Sequence, residues 1–306
     1  MSDPGETLSR WAAAAYAALL PKCIRVGLHN RWFVHRAACW ERIRNTPLSV
    51  VSHIGRGLRM RLHGDSLLCE MLYAGSFEVE TRGFFEAFLR EGDCFLDVGA
   101  NVGLYTLVAA RIIGRTGHVH AFEPCTTTFA RLRENVRLNR LDNVSCHQVA
   151  LSHENACAEL TLAKDGFDAW NSLGRPYMGE AAGRETVTTV TLDAFVREHG
   201  LAGRVTAIKI DVEGWENQVL AGAEELLAAD DAPILCIEFT EEAAQLSDSS
   251  CAALYERLER LGYRMYSVGP KRDDLQPFPA RADFPNVNLL ATKDLAAVQA
   301  RLNGVA

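Results

Sequence analysis

The stretch Phe95-Leu96-Asp97-Val98-Gly99-Ala100-Asn101-Val102-Gly103-Leu104-Tyr105 decides how this 306-residue chain is read. An apolar run stops at an acid, and a glycine turn follows. An apolar segment then repeats at helical spacing through Leu104, Leu107, Val108 and Ile112. This is the pattern of strand, glycine turn and helix. It puts a loop without bulky side chains at the carboxyl edge of a sheet, where a ligand can approach main-chain amides.

The spacing of the glycines sorts the candidate ligands. A dinucleotide fingerprint places three glycines so that backbone and helix N-terminus face a pyrophosphate. Here glycines stand at 99 and 103, residue 101 is Asn, and Leu104 occupies the place of the third glycine. A carboxylate at Asp97 would repel a pyrophosphate but suits an ammonium group. S-adenosylmethionine (SAM) carries an amino-acid end, a sulfonium and a ribose, and no phosphate. The next apolar run, Val119-His120-Ala121-Phe122-Glu123-Pro124, reads as a second strand ending in Glu123. An acid there is placed to accept both ribose hydroxyls. Together the two motifs predict a SAM site. A nicotinamide-dependent oxidoreductase is disfavoured by the missing glycine. A catalytically silent SAM-binding regulatory or partner module is the alternative from outside the enzymes, and the retained Asp97, Glu123 and Asp211 weigh against it.

A second constellation lies in Ala207-Ile208-Lys209-Ile210-Asp211-Val212-Glu213-Gly214-Trp215-Glu216. Lys209, Asp211 and Glu213 fall at period two and share one face if the strand continues. Charges on a strand buried on both faces are costly unless paired, so they belong near the strand's carboxyl end. Glu238 ends Ile234-Leu235-Cys236-Ile237-Glu238 and should reach the same rim. Asp211 or Glu213, with Glu238 as alternative, is the expected general base for a hydroxyl acceptor. The same oxygens suit Mg²⁺ as a lesser possibility, and no metal site is assigned. His118-x-His120 lacks a third ligand in view and reads as structural. His147 and His153 read as packing residues, with a place along an adenine pocket as the lesser alternative.

At this point the chain resembles the FkbM-like family of SAM-dependent methyltransferases. The resemblance rests on Asp97-Val98-Gly99-Ala100-Asn101-Val102-Gly103, Phe122-Glu123-Pro124, Val149-Ala150-Leu151-Ser152, Thr191-Leu192-Asp193 and Lys209 to Glu216. Val219-Leu220-Ala221-Gly222-Ala223 and the upstream Gly75-Ser76-Phe77-Glu78 belong to it as well. It runs from about residue 60 to 293 with the order of motifs kept. It implies a class I, Rossmann-like fold: α/β, doubly wound, with a mostly parallel seven-stranded sheet. It also implies O-methylation of a hydroxyl on a sugar or other small natural product. Carried onto this sequence, it puts Asp97, Gly99, Asn101 and Gly103 around the methionine end of SAM and Glu123 on the ribose. Glu78 and Asp211 are further candidates for that pocket. Asn171-Ser172-Leu173 adds Ser172.

The remaining text sets bounds. Hydrophobic residues make up 48% and charged residues 23%, ordinary for a globular protein. A net charge of −7 argues against a general nucleic-acid binder. The cluster Arg56, Arg59, Arg61 and His63 reads as a solvated strand face. Nine scattered cysteines without a C-x-x-C pair read as reduced thiols in a cytoplasmic protein. The apolar segment Trp11–Leu20 is ten residues, too short to span a bilayer, and reads as a packed helix. Residues 1–57 are expected to form an N-terminal helical extension, possible ground for a homo-oligomer contact, and 58–306 the methyltransferase domain. The loose alternation of 58–72 predicts a hairpin turning at His63-Gly64-Asp65, and Thr81–Leu89 a helix. Val144–Leu151 reads as one strand and 215–228 as one helix. Glu159–Leu162 and Thr186–Val190 read as extra strands, and the Pro-bearing stretch Gly269–Pro285 as a surface loop. The acceptor, a small molecule or a glycan hydroxyl, is not named by any residue.

Overall fold

Strand β1 (Ser49–Gly55) pairs antiparallel with β2 (Leu58–His63) across a turn at Arg56-Gly57 in which both residues have positive φ. In this computed structural model, residues 36, 38–75, 77–164, 166, 168–175, 180–269, 271, 273–281 and 283–304 are described. The expectations for Trp11–Leu20 and Ser76 fall outside them. The hairpin turn expected at 63–65 is corrected. Leu67–Ala74 is a helix, α1, because Ser66 caps it by accepting the Cys69 N–H at 3.2 Å and Gly75 closes it at φ 80. Leu68, Cys69 and Leu72 then bury one face. The expected 57/58 division lies in the β1–β2 turn, and Trp40 shares a core with Met60, Phe85 and Phe95.

After α2 (Val79–Phe88), strands and helices alternate: β3 (Cys94–Val98), α3 (Leu104–Ile113), β4 (His118–Phe122), α4 (Thr126–Leu138) and β5 (Val144–His147). An excursion follows through β6 (Ala150–Leu151), β7 (Ala156–Ala163), a 3₁₀ turn at Asp168–Trp170 and β8 (Ala181–Val190). The chain returns by α5 (Leu192–Glu198), β9 (Val205–Ile210), α6 (Glu216–Ala221), α7 (Glu224–Ala228), β10 (Ile234–Phe239), α8 (Glu241–Gln245) and α9 (Cys251–Arg260). It ends in β11 (Arg264–Val268), β12 (Leu275–Pro277), β13 (Val287–Thr292) and α10 (Leu295–Leu302).

The large sheet has the order β12-β11-β13-β10-β9-β3-β4-β5. The strands β5, β4, β3, β9 and β10 run parallel, and β13, β11 and β12 add antiparallel at one side. The sheet is thus the doubly wound one expected, with β12, drawn from the expected loop, as an eighth strand at the edge. One core packs α2 and α3 on one face (Phe85, Leu107, Val108) and another packs α5, α6 and α9 on the other (Phe195, Val219, Leu258). All five residues of β3 are buried, as a strand covered on both faces requires.

The single strand expected at 144–151 is two. β5 stays in the large sheet, where the His147 carbonyl accepts the Glu123 N–H, while β6 pairs parallel with β8 in a separate three-stranded sheet. The helix expected at 215–228 also breaks in two. Gly222 packs so closely that a Cβ would lie 2.0 Å from the Ser152 carbonyl oxygen, and Asp193 accepts the Glu225 and Leu226 N–H groups, capping α7. Among the described residues no helix is long and apolar enough to cross a membrane, and Cys69, Cys94, Cys125, Cys146, Cys157, Cys236 and Cys251 are free thiols.

Candidate functional site

The carboxyl ends of β3, β4, β9 and β10 converge, and glycine geometry makes the convergence tight. Gly99 (φ 80) and Ala100 both donate to the Phe122 carbonyl. A Cβ on Gly99 would lie 1.8 Å from the Asp211 carbonyl oxygen, so only glycine lets the β3 and β9 loops meet. Asn101 adopts φ 48, a left-handed conformation that Asn tolerates, and its side chain accepts the Val102 N–H at 2.7 Å. Its own N–H donates to Glu123 Oε2 at 3.0 Å. Gly103 (φ 97) then opens α3.

Two hollows lie at this edge and share Gly99, Asn101, Asp211 and Glu213. The larger, about 230 Å³, is walled by Glu78, Tyr105, Lys209 and Glu238 with apolar Leu72 and Trp170. The smaller, about 60 Å³, holds Glu123 beside Val149, Ala150 and Leu151. Of the expected site residues, Glu78, Gly99, Asn101, Glu123, Asp211, Glu213 and Glu238 line one hollow or both. Asp97, Gly103 and Ser172 line neither. Asp97, expected against the ligand's ammonium, is 1% exposed and accepts from Thr106 Oγ1 at 2.5 Å, behind the loop and opposite Lys209 in the sheet. Burial raises its pKa above the ordinary carboxylate value. Gly103 serves the turn, where a Cβ would meet Leu132 at 2.7 Å. Ser172, 1% exposed, donates to the Glu213 carbonyl at 2.8 Å.

Charge is dense here. Lys209 is 2% exposed, its Nζ lies 2.5 Å from Asp211 Oδ2, and it sits 4.8 Å from the Tyr105 ring centroid. Burial lowers its pKa, but Asp211, Glu78 and Asp97 outweigh burial, and the net shift is upward, so the ammonium keeps its charge. One oxygen each of Asp211, Glu213 and Glu238 lies within 4.8 Å of the others. Burial first, and neighbouring carboxylates second, push Glu213 and Glu238 well above the usual range. The Oε2 atoms of both are buried without a hydrogen-bond partner, and Glu213 is held at φ 56. Buried polar atoms are normally satisfied; these two are among nine exceptions in the described residues, and both belong to residues that line the larger hollow. Glu216, by contrast, is spent on structure: its Oε1 accepts the Val212 and Gly214 N–H groups. Glu123 takes N–H bonds on both oxygens, from Asn101 and Cys125, and burial raises it to about 8.

Some of this site was missed in the sequence. Tyr105 donates to Glu78 Oε2 at 2.5 Å, and Asn288 donates to Glu78 Oε1 at 2.6 Å. Tyr105 sits within the diagnostic stretch but reads as one more apolar helix position. Asn288 is brought in only by the β10–β13 register, which sets it opposite Glu238. Trp170 stands in a segment without periodicity, and no signal marks it.

Residues 97–265, more than half of the chain, match the Methyltransferase FkbM domain family. The chain belongs to this family. Methyltransferase 1 of Beauveria bassiana (strain ARSEF 2860) is 30% identical over 149 residues, 44% of this chain and 59% of that protein. The 31-O-demethyl-FK506 methyltransferase FkbM of Streptomyces tacrolimicus is 35% identical over 164 residues, 45% of this chain and 62% of that protein. The chain thus spans about six-tenths of the length of these relatives. Among solved structures, a SAM-dependent O-methyltransferase from Thermotoga maritima gives a TM-score of 0.39 at 16% identity, over 81% of this chain and 77% of that one.

Proposed function

We propose that the chain methylates a hydroxyl on a sugar or other small natural product with SAM as donor. The observation that carries the reading is the junction of the two hollows at Gly99, Asn101, Asp211 and Glu213. Glu123 keeps free lone pairs after its two N–H bonds and suits ribose hydroxyls, and Val149, Ala150 and Leu151 give the base an apolar wall. Glu78 and Asp211 face the methionine end, and Asp97 holds Thr106 and balances Lys209 from behind. SAM, when bound, supplies a methyl group on a sulfonium, whose departure as a neutral thioether needs no acid.

The chain's own work is to align the acceptor oxygen and remove its proton. Positioning alone can supply several kcal/mol. Glu213 or Glu238 takes the proton, because each lines the larger hollow and has an Oε2 with no other partner. Such a base adds typically ~10²–10⁴-fold. Asp211 is ion-paired with Lys209 beside them. The relative from Streptomyces tacrolimicus, named for a demethylated oxygen, favours oxygen as the acceptor atom. One observation favours a second reading. The close carboxylate oxygens of Asp211, Glu213 and Glu238 form the donor set that Mg²⁺ prefers, and the cation would then polarise the hydroxyl.

Calorimetry with S-adenosylhomocysteine tests the cofactor. The expected result is binding that Glu123→Gln weakens roughly 10-fold, the worth of about two hydrogen bonds to ribose. Binding of NAD instead would overturn the reading. Label transfer from methyl-tritiated SAM to small molecules of an extract tests the rest. Transfer that survives EDTA supports the carboxylate base. Transfer lost to EDTA and restored by Mg²⁺ supports the second reading, and homocysteine-product binding without any transfer supports a silent module.

A further inference from the structure

Residues 168–171, between β7 and β8, roof the two hollows. Ala169 lines the two of them, Trp170 the larger and Asn171 the smaller. This roof is tied at both ends. At one end Ser66 Oγ donates to Asp168 Oδ1 at 2.8 Å, and Arg131 Nη1 reaches Asp168 Oδ2 at 3.2 Å. The same guanidinium grips both oxygens of Asp65 through Nη2, each at 2.8 Å. Beside it the Leu67 N–H donates to the Gly166 carbonyl at 2.9 Å. At the other end Ser172 exchanges backbone hydrogen bonds with Thr161, and its hydroxyl donates to the Glu213 carbonyl.

The two ends differ in kind. Ser172 is 1% exposed and fixed by a backbone bridge. Asp168 is held chiefly by side chains, and the Asp65 that steadies Arg131 has a side chain 47% exposed. Beneath this roof the smaller hollow measures about 60 Å³. That is roughly a fifth of the low end, ~300 Å³, of ordinary small-molecule sites. The smaller hollow by itself therefore offers less room than a nucleoside base and ribose fill.

We propose that Asp168–Trp170 is a strap that lifts at its Asp168 end to admit and release the nucleoside, and that Arg131 is the positioning residue that latches it. Arg131 lines neither hollow and acts only through Asp168. The proposal rests on the SAM reading for the identity of the nucleoside. In it, the Asp65–Arg131–Asp168 relay couples the start of α1 to α4 and sets how long the nucleoside stays.

The test measures association and dissociation of S-adenosylhomocysteine by stopped-flow on the full chain. Arg131→Ala should speed dissociation roughly ten-fold, the loss of one charge-assisted hydrogen bond. Arg131→Lys should restore part of the dwell time, since an ammonium keeps the charge but not the fork. Asp65→Asn, which loosens Arg131 without touching Asp168, should lie between wild type and Arg131→Ala, and it serves as the main variant if Arg131→Ala fails to fold. A merely structural role would lower the melting temperature and leave the dissociation rate of the folded molecules alone. Unchanged or slower dissociation in the folded variants overturns the strap and leaves the SAM reading intact. Failure of the wild type to bind S-adenosylhomocysteine overturns the SAM reading, and the strap falls with it.

Discussion

The carboxylate hollow and the imidazole cluster beside it are both crowded, part-buried sets of ionisable groups, and they are built on opposite principles. The second comprises His118 and His120 on β4, His147 on β5 and His199 at the end of α5. His120 Nδ1 lies 3.2 Å from His147 Nε2, His118 Nε2 lies 2.9 Å from Ser145 Oγ, and His199 Nδ1 lies 3.0 Å from the Phe195 carbonyl. Phe195 fills the space between the rings, edge-on to His120 and His147. Each ring has a nitrogen with a partner, and none lines either hollow. In the carboxylate hollow, two buried oxygens have no partner and a cavity lies against them. Density of ionisable groups therefore does not mark a site here. Unsatisfied atoms beside open space do.

The comparison breaks most easily at the glutamates. Glu238→Gln and Glu213→Gln keep shape and remove the group that can take a proton. Turnover should fall by ~10²–10⁴ in at least one of them, with homocysteine-product affinity retained. His120→Gln should leave turnover per folded molecule unchanged. Equal losses in all three variants would erase the distinction between the two clusters.

Lys209 sharpens it from the side of stability. Its ammonium neutralises Asp211 in a buried setting. Lys209→Met strands that carboxylate, and removal of one partner of a buried pair costs about 3–5 kcal/mol. Adding Asp211→Asn to Lys209→Met should recover most of the stability, because no buried charge is then left alone. Urea melts of the two variants check it. A single variant as stable as wild type would show that Asp211 is solvated rather than stranded.

How much of this was legible follows from what each element depends on. The β3 loop, α3 and the β9 loop read correctly because glycines, strand-end acids and helical spacing all lie within one short window of sequence. That Glu238 joins Asp211 and Glu213 also followed, since parallel strands end on one edge. The side-chain direction of Asp97 did not, because Thr106 and Lys209 decide it and neither is adjacent in sequence. Alternation at 58–72 misled, since the Ser66 and Gly75 caps outvote a weak period-two pattern. The strap was invisible for the same reason as Asn288: its meaning lies in contacts 30 to 210 residues away, such as Asp168 with Arg131 and Asn288 with Glu78.

The smallest expected effect is one of pH, and it separates the two clusters by sign. Burial, with the neighbouring imidazoles adding to it, lowers His120 to about 3 and His147 to about 4, against an ordinary 6.5. Above pH 6.5 both folded and unfolded chains hold these rings neutral, and the stability of the cluster is fully present. As pH falls from 6.5 toward 4 the unfolded chain gains protons that the folded chain refuses, and stability drains away. Each linked proton is worth at most about 1.4 kcal/mol per pH unit, and partial exposure of His147 trims this to roughly 1–3 kcal/mol between pH 6.5 and 5. Glu123 runs the other way. Raised to about 8 by burial, it contributes stability that is complete below its ordinary 4.5 and is lost as pH rises through 8. Denaturant melts from pH 5 to 8.5 should therefore show His120→Gln/His147→Gln flattening the acid limb and Glu123→Gln flattening the alkaline one. Parallel curves for the histidine variant and wild type would mean that the rings titrate in the fold as they do in water, and that this cluster is not the closed, satisfied counterpart of the carboxylate hollow.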